Sequence, residues 1–392
     1  MDPAVVGSDQ FNQLFRTALP GNYKGYKEQI FSQPLVYTPN GGEQQFVYFA
    51  TTQNNIYKLN AQTGQIVARR SLHIPFLSAD LDGCVDINPT VGVIGTGVID
   101  PETETLYLTA KTYENQESED PQGRPAGRYF IHAIDVNDLS ERDNFPINLE
   151  GTVARNSPGR VFNGGISLQR PGLLHSGRYI YAGFGSHCVQ YEFTGWLIGF
   201  DKITGELVER FATMGEGIKD NVKGASIWMS GGGLTSDDAG SIFFSTGNGY
   251  ASQLSTIPVS GFNPPTALEQ AAVHMTINED GTLDLVDFFM PREKQALDGA
   301  DKDLGTSPVQ ILPKEFACGE YTRIGVVTGK SGKTYWLNLD DLGGYRNGPD
   351  GLDDVIQIYQ SENSVYAGAG VYPGEGGYIY INGEQMWRMM DL

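Results

Sequence analysis

The sequence predicts an all-β fold, a six-bladed β-propeller of four-stranded antiparallel blades with an N-terminal strand completing the last blade. Three observations predict it. A hairpin phrase occurs twice, as IYKLNAQTGQIV at 56–67 and as LIGFDKITGELV at 197–208. Six apolar, aromatic-rich segments recur along the chain, each preceded by a stretch of small residues. No stretch of twelve residues carries the periodicity of an amphipathic helix. A supersecondary unit repeated at this spacing is the mark of radial β repetition.

The elements follow in order. The apolar segments at 46–50, 105–109, 179–184, 241–246, 324–328 and 378–382 are the central strands. Before them stand SQPLVYT, GTGVID, GGISLQ, SGGGLTSD, GTSPVQIL and YAGAGVY, whose small residues suit innermost strands crowded around a narrow axis. After each comes a third strand leading into the hairpin phrase, in which an Asn or Asp braces the turn and a Gly supplies positive φ. Looser copies, IHAIDVNDL at 131–139 and TYWLNLDDL at 334–342, keep the acid and the turn but lose the Thr-Gly pair. Each blade takes about 60 residues, above the roughly 40–50 of compact propeller repeats. The excess falls in connections at 112–128, 213–225, 250–270, 285–303 and 343–360, where binding surfaces usually form. Residues 9–18 are expected to supply the outer strand of the sixth blade, closing a sheet edge. The whole chain, 1–392, reads as one propeller domain.

A net charge of −20, from 47 acidic against 27 basic residues, disfavours nucleic acid and anionic membranes as partners. No apolar run is long enough to span a bilayer. The segment MDPAVVGSDQ lacks the basic and apolar regions of a secretion signal, and no Asn-x-Ser/Thr acceptor is present. A cytoplasmic protein is expected. Oligomeric state leaves no trace in the sequence.

Three cysteines, Cys84, Cys188 and Cys318, make no disulfide framework and no metal spacing. Buried free thiols are the expectation, with one bridge plus a free thiol as the alternative. Glycine runs such as Gly164–Gly165 lead into strands, so they build no phosphate loop, which needs a helix behind it. Neither a G-x-S-x-G elbow nor a His-Glu-x-x-His pair occurs. The acidic stretches at 114–120 and 350–354 lack a calcium-loop pattern and read as solvated loops.

The segments FSQPLVYTP (31–39), YFATTQNNIYKLNAQTG (48–64), GSHCVQYEFTGWLIGFDKITGE (185–206) and WMSGGGLTSDDAGSIFFSTGNG (228–249) resemble the PQQ-like β-propeller repeat proteins, as do 83–112 and 304–312. The resemblance covers nearly the whole chain and implies a fold more than a chemistry. Quinone dehydrogenases of that lineage carry a vicinal cysteine pair and a Trp after the Thr-Gly turn. Here no two cysteines adjoin, and the turns run on as QIVARR and ELVERF. In length, blade count and loop style the chain also resembles the fungal hetero-Diels–Alderases of tropolone–sesquiterpenoid biosynthesis. That resemblance implies a cofactor-free cycloaddition between an o-quinone methide and a sesquiterpene olefin, and it carries over no individual residue.

In a propeller the natural pocket is the mouth of the central channel. Starts of inner strands and their loops place Gln33, Asp86, Asn163, Gln169, Trp228, Asp303, Thr306 and Tyr366 there, with His187, Lys223, Tyr250 and Trp387 added from loops. This mixed polar and aromatic wall suits an uncharged organic substrate. Asp86, Lys223 and His187 are the candidate acid–base groups. Gln33, Asn163, Gln169, Trp228, Asp303, Thr306 and Tyr366 are the candidate substrate contacts, with Trp228 and Tyr366 as stacking walls. No cofactor and no metal are expected. The alternatives are a quinone-dependent dehydrogenase and a non-catalytic propeller that binds a glycan or protein.

Overall fold

The computed structural model describes residues 3–9, 11–250, 261–374, 377–382 and 387–391, and it contains the six sheets. Blade one is Leu35–Tyr37, Phe46–Ala50, Asn55–Asn60 and Ile66–Ser71. Blade two is Val98–Asp100, Thr105–Tyr113, Gly127–Asp135 and Ile147–Asn148. In blade three Ser167–Leu168 and Leu174–Ser176 share the inner position, followed by Tyr179–Ser186, Trp196–Asp201 and Leu207–Ala212. Blade four is Thr235–Ser236, Ser241–Ser245, Ala272–Ile277 and Leu283–Met290, with Gly344–Tyr345 added in parallel at its outer edge. Blade five is Gln310–Ile311, Ile324–Thr328, Lys333–Asn338 and Gln357–Gln360. Blade six is Gly370–Tyr372, Tyr378–Asn382 and Trp387–Asp391.

The repeated hairpin folds as its residues dictate. Asn60 Oδ1 accepts the backbone N–H groups of Gln62 and Thr63, both at 2.9 Å. Asp201 Oδ1 does the same for Ile203 and Thr204, at 2.8 and 2.9 Å. Gly64 and Gly205 then sit at φ 70° and 72°, where a side chain would be strained. In the looser copy at 131–139, Leu139 occupies that position at φ 62°, and Asp135 still accepts from Asn137 N at 2.7 Å.

The blades pack face to face, so a central strand buries both its sides. Thr105–Tyr113 is buried at every position, as are Ser241–Ser245 and Ile324–Thr328. Alternation still operates, but it sorts residues between two neighbours instead of between core and water. Leu106 and Leu108 join Tyr48 and Ile56 of blade one, while Tyr107 joins Ile180, Ile198 and Phe200 of blade three. Likewise Ile242 and Phe244 pack toward blade three and Phe243 toward blade five. The third residue of three successive central strands is a tyrosine that latches onto the next blade's hairpin. Tyr48 donates to Val136 O at 3.0 Å, Tyr107 to Lys202 O at 2.8 Å and Tyr181 to Gly281 O at 2.9 Å.

Two expectations change here. Among the described residues blade six has three strands, and 11–19 runs along blade one without joining a sheet. Thr17 donates to Gly64 O at 2.7 Å, and Leu19 packs on Phe49, Tyr57 and Leu59. The polar stretch before Leu19 leaves too few apolar side chains to bury on both faces of a blade. The connection expected from 285 remains strand to Met290 and then forms the short helix Lys294–Gly299. No helix among the described residues is long and apolar enough to cross a membrane.

Tyr107→Phe leaves the Lys202 carbonyl buried without its donor. It is expected to cost roughly 1–2 kcal/mol in urea unfolding, against near neutrality for a surface Tyr→Phe control.

Burial also holds three histidines below their ordinary value. His73 is pushed down to about 4, by burial first and then by His132. His187 and His274 are pushed down for the same leading reason. A base whose folded value lies below its unfolded one binds fewer protons when folded. Stability is therefore complete above the ordinary histidine value of 6.5 and is lost as pH falls toward about 4. The thermal midpoint is expected to drop on going from about pH 7 to about pH 5, and His73→Gln to shrink that drop.

Candidate functional site

Inner strands run antiparallel to central strands, so the start of the first and the end of the second meet at the same rim of a blade. That rim surrounds a cavity of about 220 Å³ at the channel mouth. Asp86, Trp228, Asp303, Thr306 and Tyr366 all line it, together with Tyr250.

Asp303 is the most firmly held group. One carboxylate oxygen accepts Asn248 N at 2.7 Å and the other accepts Lys330 Nζ at 2.5 Å. Lys330 also reaches Asp301 at 3.4 Å. Burial opposes the charge on Lys330, but Asp303 and Asp301 outweigh it and raise its pKa. The Trp228 indole nitrogen and the Asp303 carboxylate flank Gly247, where a Cβ would stand 2.6 and 2.5 Å from them. Glycine is thus required where the indole meets the acid. Past Trp228 the backbone is strained: Met229 and Ser230 both take positive φ, 46° and 41°. Cys188 on the opposite loop does so too, at 42°. Such outliers gather where a site fixes its groups at the expense of backbone comfort.

Arg170 faces the same space. Burial pushes its pKa down, with the charge of Asp86 opposing, and no hydrogen bond or ion pair holds it among the described residues. A guanidinium has five donors in a planar fork and keeps its charge throughout the ordinary pH range. Facing the cavity without a hydrogen-bond or ion-pair partner among the described residues, it has donors that a carbonyl or oxyanion could accept.

The remaining predicted residues stand elsewhere. His187 is buried against Phe76, with Nε2 2.7 Å from the Lys111 ammonium nitrogen, and does not reach the cavity. Gln169 is buried, accepting from Thr109 at 2.8 Å and donating to Pro171 O. Asn163 caps Gly165 N at 2.9 Å beside a second cavity near Arg160. Gln33 borders a narrow crevice between blades one and two. Lys223 stays at the rim, donating to Val189 O with its ammonium 4.9 Å from the Tyr250 ring centre. The Trp387 side chain and residues 251–260 lie outside the described residues.

The cysteines depart from expectation. Cys84 and Cys188 form a disulfide, with Cα atoms 5.9 Å apart across 104 residues of chain, and Cys318 is free and exposed. Two loops that meet only at the channel mouth bring them together, which no linear spacing could reveal. Sequence reasoning also missed Arg170, Asn248, Asp301 and Lys330. For Asn248 and Lys330 the signal was present: Thr246-Gly247-Asn248 and Thr328-Gly329-Lys330 both follow a central strand with a polar residue at the rim.

No family model matches the chain, and no curated protein does. Solved structures do. The quinohemoprotein alcohol dehydrogenase of Comamonas testosteroni is similar over 92% of this chain and 52% of its own, at 12% identity and TM-score 0.59. The quinohemoprotein alcohol dehydrogenase ADHIIG of Pseudomonas putida HK5 is similar over 90% of this chain and 51% of its own, at 13% identity and TM-score 0.55. The chain therefore spans about half the length of these two enzymes. A looser likeness, TM-score 0.42 at 13% identity, extends to BamB from Moraxella catarrhalis, over 89% of this chain and 68% of that one. At such identities the likeness shows the fold alone: this is a β-propeller of the architecture those dehydrogenases share.

Behind the cavity lies a buried ion triad. Lys294 Nζ contacts Glu269 at 2.9 Å and Asp298 at 2.6 Å, with all three side chains 1% exposed or less. Asp298 in turn accepts Gly249 N at 2.8 Å. The Asn248 side chain is held between Asp301 and Gln270, at 2.6 and 2.5 Å. The strap 248–250 that carries Tyr250 is thereby fixed along its length. Lys294→Met leaves two carboxyls buried without their cation. It is expected to cost about 3–5 kcal/mol in thermal or urea unfolding, and a double change to Met with Glu269→Leu to recover part of that loss.

Proposed function

We propose that the channel-mouth cavity is the active site of a small-molecule enzyme acting on a planar organic carbonyl compound. The carrying observation is Arg170, a guanidinium with no hydrogen-bond or ion-pair partner among the described residues, in a cavity walled by Trp228, Tyr250 and Phe193. The aromatic rings offer faces for a flat, unsaturated substrate, and the guanidinium offers donors to its carbonyl oxygen.

The finer reading is the hetero-Diels–Alder one, in a fungal specialised pathway. An o-quinone methide is an electron-poor heterodiene, and hydrogen bonds from Arg170 to its oxygen lower the barrier to attack by an olefin. Holding both partners at near-attack distance supplies the rest, as well-oriented reactions show. If the quinone methide arises in place by loss of water from an alcohol precursor, Asp303 and Lys330 form a proton-handling pair beside it. The substrates are then apolar and aromatic, and the chain's own side chains do all of the work.

The dehydrogenase neighbours raise the question of pyrroloquinoline quinone, a planar tricarboxylate. The cavity presents Asp86, Asp301 and Asp303 against Arg170 and Lys330, and Lys330 is already engaged by two carboxylates. A tricarboxylate would meet uncompensated acid there, so these residues do not fit that group, and no step is assigned to it. A cytoplasmic location is the further part of this reading. It goes with the dithiol form of Cys84 and Cys188, since reducing compartments keep such bonds open.

The test is co-incubation of the protein with a tropolone alcohol and humulene, read by chiral chromatography. A single-enantiomer adduct is expected, slowed roughly 100-fold by Arg170→Gln and strongly by Trp228→Ala. Asp303→Asn should slow the alcohol precursor but not a separately generated quinone methide. Racemic adduct at the rate seen in buffer would refute the cycloaddition.

A further inference from the structure

We propose that Cys84, Asp86 and Cys188, once the disulfide is reduced, form a site for a soft divalent cation of the zinc class at the cavity mouth. The two sulfurs and a carboxylate oxygen of Asp86 all lie within 4.8 Å of one another. A tetrahedral thiolate site with metal–sulfur bonds of about 2.3 Å sets its sulfurs about 3.8 Å apart. Opening the bond therefore asks for a movement of only about 2 Å, shared between two residues outside regular strands. Cys84 and Asp86 come from one loop at spacing two, Cys188 from another. Asp86 and Cys188 both line the cavity, so the fourth ligand position is open to water or to a bound molecule.

Charge closes in both states. With the disulfide intact, Asp86 and Arg170 stand as one anion and one cation that offset each other through space. Reduction takes two electrons and two protons from a dithiol reductant, which closes to its own disulfide. Binding then releases the two thiol protons to water, leaving two thiolates whose charge a divalent cation matches. Arg170 continues to offset Asp86. The carboxylate and thiolate mixture selects zinc, cobalt or cadmium over calcium and magnesium. The site and the disulfide exclude one another, so the redox state of one bond decides whether a Lewis acid stands at the mouth.

The test uses full-length protein carrying Cys318→Ser, which removes the exposed thiol. It is reduced with a phosphine, freed of reductant under nitrogen and titrated with cobalt(II). The expected result is one cobalt per chain with a thiolate-to-cobalt charge-transfer band in the reduced form, and no band in the oxidised form. Asp86→Asn, which keeps both cysteines and the fold, should weaken binding at least about tenfold, the loss seen even for an outer-shell partner. Cys188→Ser should abolish tight binding. A reduced protein without the band, or a band unchanged in Cys188→Ser or Asp86→Asn, overturns the proposal.

Discussion

The structure depends on one constraint: a central strand of a propeller blade has no solvent face. Thr105–Tyr113 is buried along its whole length because blades one and three cover it from either side. A strand in that position must carry two apolar surfaces, and the direction of each side chain chooses the neighbour it serves. The tyrosine latches follow from this. Tyr48, Tyr107 and Tyr181 each push a ring between blades, and each hydroxyl then finds a carbonyl on the next blade's hairpin. A buried phenol without such an acceptor would cost more than its ring contributes, so the turn geometry and the latch residue constrain each other. The Asn60 and Asp201 turns hold the hairpins in shape, and the hairpins in turn present the carbonyls.

The same packing explains why the chemistry gathers at one rim. Backbone crowding near the axis leaves room for little beyond glycine. A Cβ on Gly305 would stand 2.5 Å from the Thr246 carbonyl carbon, and one on Gly247 would strike both Trp228 and Asp303. Side chains of any size must therefore rise to the mouth, where central strands end. There the cost of collecting charged groups is met by the ion triad Glu269, Lys294 and Asp298, which pins the strap from behind. Burial raises the pKa of Glu269, and the Lys294 ammonium beside it opposes that shift. A buried pair of this kind is weak support for stability and strong support for a fixed geometry.

Much of the fold was legible in the sequence, and the reason is local. All six central strands stand where the apolar segments place them, because strand formation there needs only a run of β-branched and aromatic residues between turns. The hairpin phrase was legible because Asn60 and Asp201 act on backbone groups two and three residues away. What depends on distant segments was not. The Cys84–Cys188 bond joins residues 104 apart, and the resting place of residues 11–19 is decided by competition between two blade surfaces. Half of the candidate site was readable for the same reason. Asp86, Trp228, Asp303, Thr306 and Tyr366 lie on the segments leading into inner strands at the mouth, whereas Asn163 and Gln169 are taken up by local capping and buried hydrogen bonds and Gln33 borders the crevice between blades one and two. His187 shows the limit most clearly: just past the end of the strand Tyr179–Ser186 it turns inward toward Lys111, while its neighbour Cys188, at positive φ, turns to the cavity.

The charge pattern of the mouth bears on what it can hold. Three carboxylates face two cations, yet the arrangement is uneven. Lys330 is paired with Asp303 and Asp301, whereas Arg170 answers to Asp86 through space. Among the described residues, an anion with several charges would find one receptor not held by an ion pair, set among acids that repel it. A neutral molecule with a single polarised oxygen finds that receptor and pays no such repulsion. The aromatic wall favours the same ligand, because a flat unsaturated surface gains from rings that a hydrated polyanion would have to shed water to reach. On the proposed reading, selection at this site rests on the position of one guanidinium, unpaired among the described residues, relative to three acids, and any change that supplied Arg170 with a partner would remove it.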